Sequence, residues 1–280
     1  MIVRPGVKLG EGGCSEVFEW GGGNCVVKLA KPHTNRYAIE REYNNCKMAF
    51  ERGLPAPEPY GLVDIDGRPG IVFERIRGES LLERWLRLIH RPDPSDTSSW
   101  TVTAWALFGV HQSGAEAGFP DQRDSLNHAI DMAGELSATE RKAVQGWLHR
   151  LPVKRQLCHG DPNPGNLMFR DGRPMWIDWN NATAGNPEAD LAEYVLMLRY
   201  AVLESHVPGL SAKAVDTFRR SREVMIGAFL NMYARLGGIG AEEVDAWILP
   251  VAVRKLSSDL AKEEKEQLLS EIRRRLERIE

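Results

Sequence analysis

The chain changes texture once, and that change limits what it can fold into. Five short apolar runs, Val7–Leu9, Val17–Trp20, Cys25–Ala30, Tyr60–Ile65 and Ile71–Ile76, fall within the first 77 residues, and no such series recurs after Gly78. Turn-forming clusters separate them at Gly10–Gly13, Gly21–Asn24 and Asp66-Gly67, as expected of strands joined by hairpins. One helix interrupts the series, from about Arg36 to Arg52. Gly53 closes it, and Pro55, Pro57 and Pro59 prevent its continuation. Strands followed by helices predict an α+β chain rather than alternating β-α units. The expected division is a small unit, 1–77, with a five-stranded sheet and one helix, and a larger helical unit, 78–280, joined near Glu74–Gly78.

In the second unit the periodicity predicts helices over Glu79–His90, Asp96 to about Gly118 and, from the capping box Ser137-x-x-Glu140, to about Arg150. Gln156–Trp179 reads as short strands and loops. Helices follow to the end. The last, Ser257–Glu280, carries Leu268, Leu269, Ile272, Leu276 and Ile279 on one face, for packing or for a dimer. A net charge of −3 gives no electrostatic case for nucleic acid or an acidic membrane. Cys14, Cys25, Cys46 and Cys158 form no C-x-x-C pair, which argues against zinc and against a disulfide framework. His111, His128 and His149 lack ligand-spaced partners, so no zinc site is expected. The first residues have no signal-peptide pattern, and no apolar run reaches the length of a membrane helix. The expected location is a reducing cytoplasm, as monomer or homodimer.

The most specific pattern is His159-Gly-Asp161-Pro-Asn-Pro-Gly-Asn166, of the form H-x-D-x-x-x-x-N. Twelve residues after Asn166, the apolar run Met175-Trp-Ile ends on Asp178. Phosphoryl transfer needs these residue types. A carboxylate, Asp161, orients an attacking hydroxyl and accepts its proton, while hard oxygen ligands, Asn166 and Asp178, suit the magnesium that offsets triphosphate charge. A polar turn whose Asp161 and Asn166 bond their own backbone has the same composition. Upstream, Gly10-Glu-Gly12-Gly13-Cys14-Ser15-Glu-Val17 is a glycine-rich hairpin whose backbone N–H groups can approach phosphate; an ordinary hairpin turn is the alternative. Lys28 sits inside the apolar strand Val26-Val27-Lys28-Leu29. It needs a charge partner, for which Glu42 is the first candidate and Glu40 the second, unless it snorkels from an edge to water.

In chain order these elements resemble the protein-kinase signature set. They are closer to the aminoglycoside phosphotransferase and choline kinase group, whose loops are similar to His159-Gly-Asp161-x-x-Pro-Gly-Asn166 and whose strands are similar to Ile177-Asp178-Trp179. Arg41-Glu42, Gly53-Leu-Pro-x-Pro, Phe73-Glu74-x-x-x-Gly78 and Asp190-Leu191-Ala192 extend the resemblance over roughly Val7 to Glu193. It implies a two-lobed protein-kinase-like fold and a kinase using ATP or GTP with magnesium. Asp161 would be the base and Asn166 and Asp178 the metal ligands. Lys28 would hold phosphates and pair with Glu42. Gly10, Gly12, Gly13, Cys14, Ser15 and Val17 would cover the nucleotide, and backbone groups of Glu74 and Ile76 would meet the adenine. His159 and Asp190 would brace the catalytic loop.

The departures matter. Ser15 stands at a third glycine, Gly160 replaces an arginine and Asn163 replaces a lysine. Asn186-Pro-Glu188 begins eight residues after Asp178, which leaves no room for a peptide platform. A small-molecule hydroxyl is therefore the expected acceptor, and a protein the disfavoured one. A nucleotide-binding pseudokinase with protein partners is the alternative of another class; intact Lys28, Asp161, Asn166 and Asp178 argue against it. Segment 186–206 holds the acids Glu188, Asp190, Glu193 and Glu204 against Arg199 alone, and segment 119–149 holds five acids against three bases. With Trp147, Trp179, Tyr194 and Tyr200 nearby, such walls would welcome a cation such as an aminoglycoside or choline. A neutral sugar or macrolide is also compatible, and antibiotic resistance is among the roles the resemblance implies.

Overall fold

The structure, a computed structural model, describes residues 4–90, 98–114, 118–203 and 209–279. Two compact units result. The first is Met1–Leu81 with Pro164–Ala182, and the second is Leu82–Asn163 with Thr183–Glu280. Pro164–Ala182, expected in the helical unit, instead packs with the strands, because it forms a hairpin that pairs with a strand of the first unit.

In the first unit, β1 (Lys8–Glu11), β2 (Ser15–Trp20), β3 (Cys25–Ala30), β4 (Pro59–Ile65) and β5 (Arg68–Glu74) form an antiparallel sheet in the order β1-β2-β3-β5-β4. Asp66 and Gly67 both have positive φ, as a two-residue hairpin between β4 and β5 requires. Alternation on β3 turns Val27 and Leu29 into a core with Val72, Phe18, Trp20, Val63 and Ile65, which leaves Lys28 on the opposite face. That face receives α1 (Arg36–Glu51). Asn35 caps the helix by accepting from Ala38 N at 2.9 Å, and Ile39, Glu42, Asn45, Cys46 and Ala49 form its buried stripe. The helix stops in a Schellman turn: Gly53, with φ of 73°, donates to Phe50 O, and Leu54 N donates to Ala49 O. A second sheet of β6 (Glu79–Ser80), β8 (Leu167–Arg170) and β9 (Arg173–Trp176) completes the unit. Gly78 is required here, since a Cβ would lie 1.8 Å from Phe169 O.

The second unit holds α2 (Leu81–His90), α3 (Ser98–His111), α4 (Gln122–Met132), α5 (Ala138–Arg150), α6 (Pro187–Tyr200), α7 (Ala212–Gly237), α8 (Ala241–Lys255) and α9 (Lys262–Leu276). A two-stranded ladder joins β7 (Gln156–Cys158) to β10 (Thr183–Gly185). Helix α6 is its centre, with eleven of its residues buried, including Glu188, Asp190 and Glu193. The helix expected over Asp96–Gly118 ends at His111, because Ser113 O accepts from Leu157 N and Gly114 bridges Gln156. Its expected start and residues 115–117 lie outside the described residues. The predicted final helix begins later, at Lys262. Ser257 and Ser258 instead close α8 by donating to Arg254 O and Lys255 O. On α9, Leu268, Ile272 and Leu276 are buried and Leu269 is half-buried, as is Ile279 beyond the helix end. Among the described residues, no single helix is long and apolar enough to cross a membrane.

Candidate active site

In the first unit, Lys28 Nζ lies 2.6 Å from Glu42 Oε1 and 3.2 Å from Asp178 Oδ2. Glu42, not Glu40, is the helix partner, because only Glu42 falls in the buried stripe of α1. Burial alone would lower the lysine, yet Asp178 and Glu42 together hold it above its ordinary value, so it stays an ammonium. Burial raises Glu42 and Lys28 pulls it down, but the second carboxylate, Asp178, helps to leave it raised, at about 7. One ammonium thus faces two carboxylates, and Asp178 is the more exposed of the pair at 38%. A hard cation with phosphate oxygens fits that donor set.

Asp178 reaches this position through local backbone. The β8–β9 hairpin brings its two ends side by side, and Ile177 N donates to Asn166 O at 2.9 Å, so Asn166 and Asp178 flank one ladder end. Asp178 itself adopts φ 62° and ψ 62°, the left-handed region that few residues other than glycine occupy. Trp179, fully buried, anchors the next residue by donating from Nε1 to Trp176 O. Helix α1 fastens the same segment: Asn45 Nδ2 donates to Trp179 O at 3.0 Å, and Arg41 Nε donates to Asn180 Oδ1 at 3.1 Å. Sequence reasoning did not single out Asn45. Its signal is a polar residue one turn beyond Glu42 on an otherwise apolar stripe.

The glycine hairpin is held from behind. Lys31 N and Thr34 Oγ1 donate to Cys14 O, the His33 ring bonds Gly13 O, and Gly12 N donates to Ser15 O. Gly10, Gly12 and Gly13 have no positive φ, and a Cβ on any of them would meet nothing within 4 Å. The conformation itself therefore does not demand glycine there. Ser15, expected among the residues that cover the nucleotide, is only 5% exposed at the start of β2. Val17 sits across from Lys28 in the β2–β3 register. At the end of β5, Glu74 N donates to Glu58 O, so that amide is already used within the sheet, and the Glu74 side chain pairs with Arg170.

In the second unit, Asp190 on α6 organises the loop that ends at Asp161. Its Oδ2 accepts from His159 N at 2.7 Å and its Oδ1 from Gly160 N at 2.9 Å. Asp161 N in turn donates to His159 Nδ1 at 3.3 Å, and Asn163 N donates to Asp161 O at 2.8 Å. Gly160 has φ of 79°, which suits glycine. Burial raises Asp190, but the bond and charge of His111, with His159 and the Gly160 amide, outweigh it and hold the carboxyl below its ordinary range. His111 Nε2 meets Asp190 Oδ2 at 3.1 Å, and its Nδ1 meets Tyr233 OH at 2.7 Å. The ligand atoms of His111, Cys158 and Asp190 lie within 4.8 Å of one another. Yet both ring nitrogens and both carboxylate oxygens are already bonded, so the cluster is a brace rather than a metal centre. His111 and Tyr233 were invisible as a pair because 122 residues separate them.

The acids read from sequence as walls for a cation are otherwise employed. Glu188 pairs with Lys154, Asp190 holds the loop, and Glu193 bonds Arg254 and Lys255. In segment 119–149, Asp121 and Glu140 cap helices and Glu135 pairs with Lys265. Trp179 and Tyr194 are core residues, and Trp147 donates to Ala246 O. Glu204 lies outside the described residues.

Acyl-CoA dehydrogenase family member 11 of Gallus gallus is 26% identical over 196 residues, 61% of this chain and 25% of that protein, so the chain spans about a quarter of its relative's length. Among solved structures, a thermostable mutant of aminoglycoside phosphotransferase APH(4)-Ia, in ternary complex with AMP-PNP and hygromycin B, superposes with a TM-score of 0.60. It is 17% identical, over 99% of this chain and 93% of that one. Aminoglycoside phosphotransferase APH(3'')-Id from Streptomyces rimosus gives 0.55 at 18% identity, over 90% and 92%. The fold is therefore the kinase-like fold of these enzymes. With the profile of the phosphotransferase enzyme family matching residues 9–224, from the glycine hairpin through α6 and into α7, the chain belongs to that family.

Proposed function

We propose that the chain transfers the γ-phosphoryl group of ATP to a hydroxyl of a small molecule, with Asp161 as the base. The observation that carries this reading is the cluster of Lys28, Glu42 and Asp178, in which one buried ammonium serves two carboxylates. Lys28, fixed by Glu42, is set to meet phosphate oxygens. Asn166 and Asp178 would hold magnesium, which when bound offsets the charge of the triphosphate. Asp161 orients the acceptor hydroxyl and takes its proton as the bond to phosphorus forms, and the loop bonds from Asp190 and His159 keep its backbone still. The related structure with AMP-PNP supports ATP as donor. A reducing cytoplasm suits the four free thiols.

The test is release of nucleoside diphosphate with magnesium and ATP or GTP across aminoglycosides, macrolides, choline, amino alcohols and sugars. Substrate-stimulated release that disappears in Asp161→Ala supports the proposal. Substrate-stimulated release that persists in Asp161→Ala removes Asp161 from the chemistry.

A further inference from the structure

The loop that ends at Asp161 is gripped from a second side. Arg254, in the last turn of α8, donates from one nitrogen, Nη2, to Gly160 O at 3.0 Å and to Glu193 Oε2 at 2.8 Å. Gly160 O belongs to the peptide that joins Gly160 to Asp161. The N–H of that same peptide donates to His159 Nδ1. Arg254 therefore fixes one edge of the peptide plane immediately before the base, and His159 fixes the other. Asp190 holds only the two amides upstream.

Arg254 is not needed to neutralise Glu193. Lys255, the next residue, already bonds the other oxygen of that carboxylate, Oε1, at 2.5 Å and makes the ion pair by itself. Two cations converge on one buried acid, and only Arg254 also touches the loop. Glu193 anchors the arginine from α6, the helix that also carries Asp190. The two braces of the loop thus start one helical turn apart on one rigid element.

We propose that Arg254 is a positioning residue for the phosphoryl-transfer base, holding the Gly160–Asp161 peptide through its carbonyl, with Glu193 as its anchor. This rests on the reading of Asp161 as the base. Losing the bond frees the peptide to rotate at a glycine, and a misplacement of about 1 Å at a reacting group lowers rate by about 100-fold.

The experiment compares Arg254→Met with Lys255→Met in the full chain. Each variant leaves Glu193 one cation, so both are expected to fold with similar melting temperatures, and only the first loses the loop bond. Two readouts are taken: hydrogen exchange at the Gly160 and Asp161 amides, and steady-state kinetics with the best acceptor. Arg254→Met is expected to exchange at least about 10-fold faster at these amides and to lose about 10- to 100-fold in kcat, with the KM for nucleotide within about 3-fold. Lys255→Met is expected to leave both readouts within about 3-fold, and Arg254→Lys, which keeps a donor, to fall between. Unchanged exchange in Arg254→Met, or equal effects from the two methionine variants, overturns the proposal. Should the wild type transfer no phosphoryl group to any acceptor, the functional reading fails, and the exchange comparison still decides whether Arg254 holds the loop.

Discussion

Replacing Lys28 by methionine removes the ammonium that Glu42 and Asp178 share and keeps much of its volume. Glu42, whose side chain is 6% exposed, is then left beside Asp178 with no ammonium. Breaking a buried pair by deleting one partner destabilises by about 3–5 kcal/mol. The pH dependence makes the argument specific. In the wild type Glu42 is raised to about 7, so the folded chain carries a proton on it that the unfolded chain, at about 4.5, has released. Stability from this group falls as pH rises between those values and is level above about 7. Without Lys28 the pKa of Glu42 climbs further, and the folded state still holds one more proton than the unfolded state above pH 7. Lys28→Met should therefore lose about 1.4 kcal/mol more for each pH unit above 7, where the wild type is flat with respect to this group. Urea unfolding at pH 6, 7 and 8 measures it. The double variant Lys28→Met/Glu42→Gln removes the Glu42 carboxyl and should recover part of the stability and lose the part of the slope that Glu42 causes. A loss below about 1 kcal/mol, independent of pH, would refute the claim that Lys28 keeps the pKa of Glu42 from climbing further.

Four further outcomes follow from the same geometry. Asp161→Ala should keep its melting temperature and lose about 10² to 10⁴ in turnover, read from diphosphate release. Asp178→Asn, which tolerates the left-handed backbone, should fold normally, while its magnesium titration moves to higher concentration; an unchanged titration removes Asp178 from the metal site. Gly78→Ala should destabilise by more than about 2 kcal/mol, because its Cβ meets backbone at 1.8 Å, whereas Gly12→Ala, with nothing within 4 Å, should leave stability alone and weaken nucleotide binding in a titration. Asp190 and Glu193 are both held below their ordinary values although burial opposes this, Asp190 by His111 and loop amides and Glu193 by Lys255 and Arg254. Their stabilisation is complete above about pH 4.5 and is lost as pH falls below it, so acid unfolding of Glu193→Gln should show a shallower pH slope than the wild type.

What was legible in the sequence was local. Strands bounded by Gly10–Gly13, Gly21–Asn24 and Asp66-Gly67 appear where turn chemistry put them, since positive φ at Asp66 and Gly67 is a property of those two residues. Lys28 and Glu42 could be paired because strand alternation and helix periodicity each place a charged residue on an otherwise mostly apolar face. Long-range partners carried no such mark. The hairpin Leu167–Trp176 joins β6 across the chain, so the domain boundary drawn by texture misplaced Pro164–Ala182. Arg254 bonds a carbonyl 94 residues away, and a backbone acceptor leaves no trace in composition. Counting acids on α6 failed for a related reason. Charge in a sequence is counted per segment, but Glu188, Asp190 and Glu193 are each cancelled or bonded by residues from other segments.

The first unit concentrates its unfavourable features at one point. Lys28 interrupts an apolar strand, Glu42 is buried and raised, and Asp178 occupies a left-handed backbone region. Each lowers stability, and apolar side chains of similar volume at Lys28 and Glu42 would be neutral or stabilising. Folding alone therefore does not explain them. The surrounding structure holds them in place: Asn45 donates to Trp179 O, Trp179 fills the core beside Asp178, and Ile177 bonds Asn166. Well-packed neighbours that hold a buried ion pair and a strained carboxylate in place are what a binding or catalytic site needs. Under the proposed function the arrangement has a use: Asp178 would offer a hard oxygen to magnesium, and the Lys28 ammonium would meet phosphate oxygens.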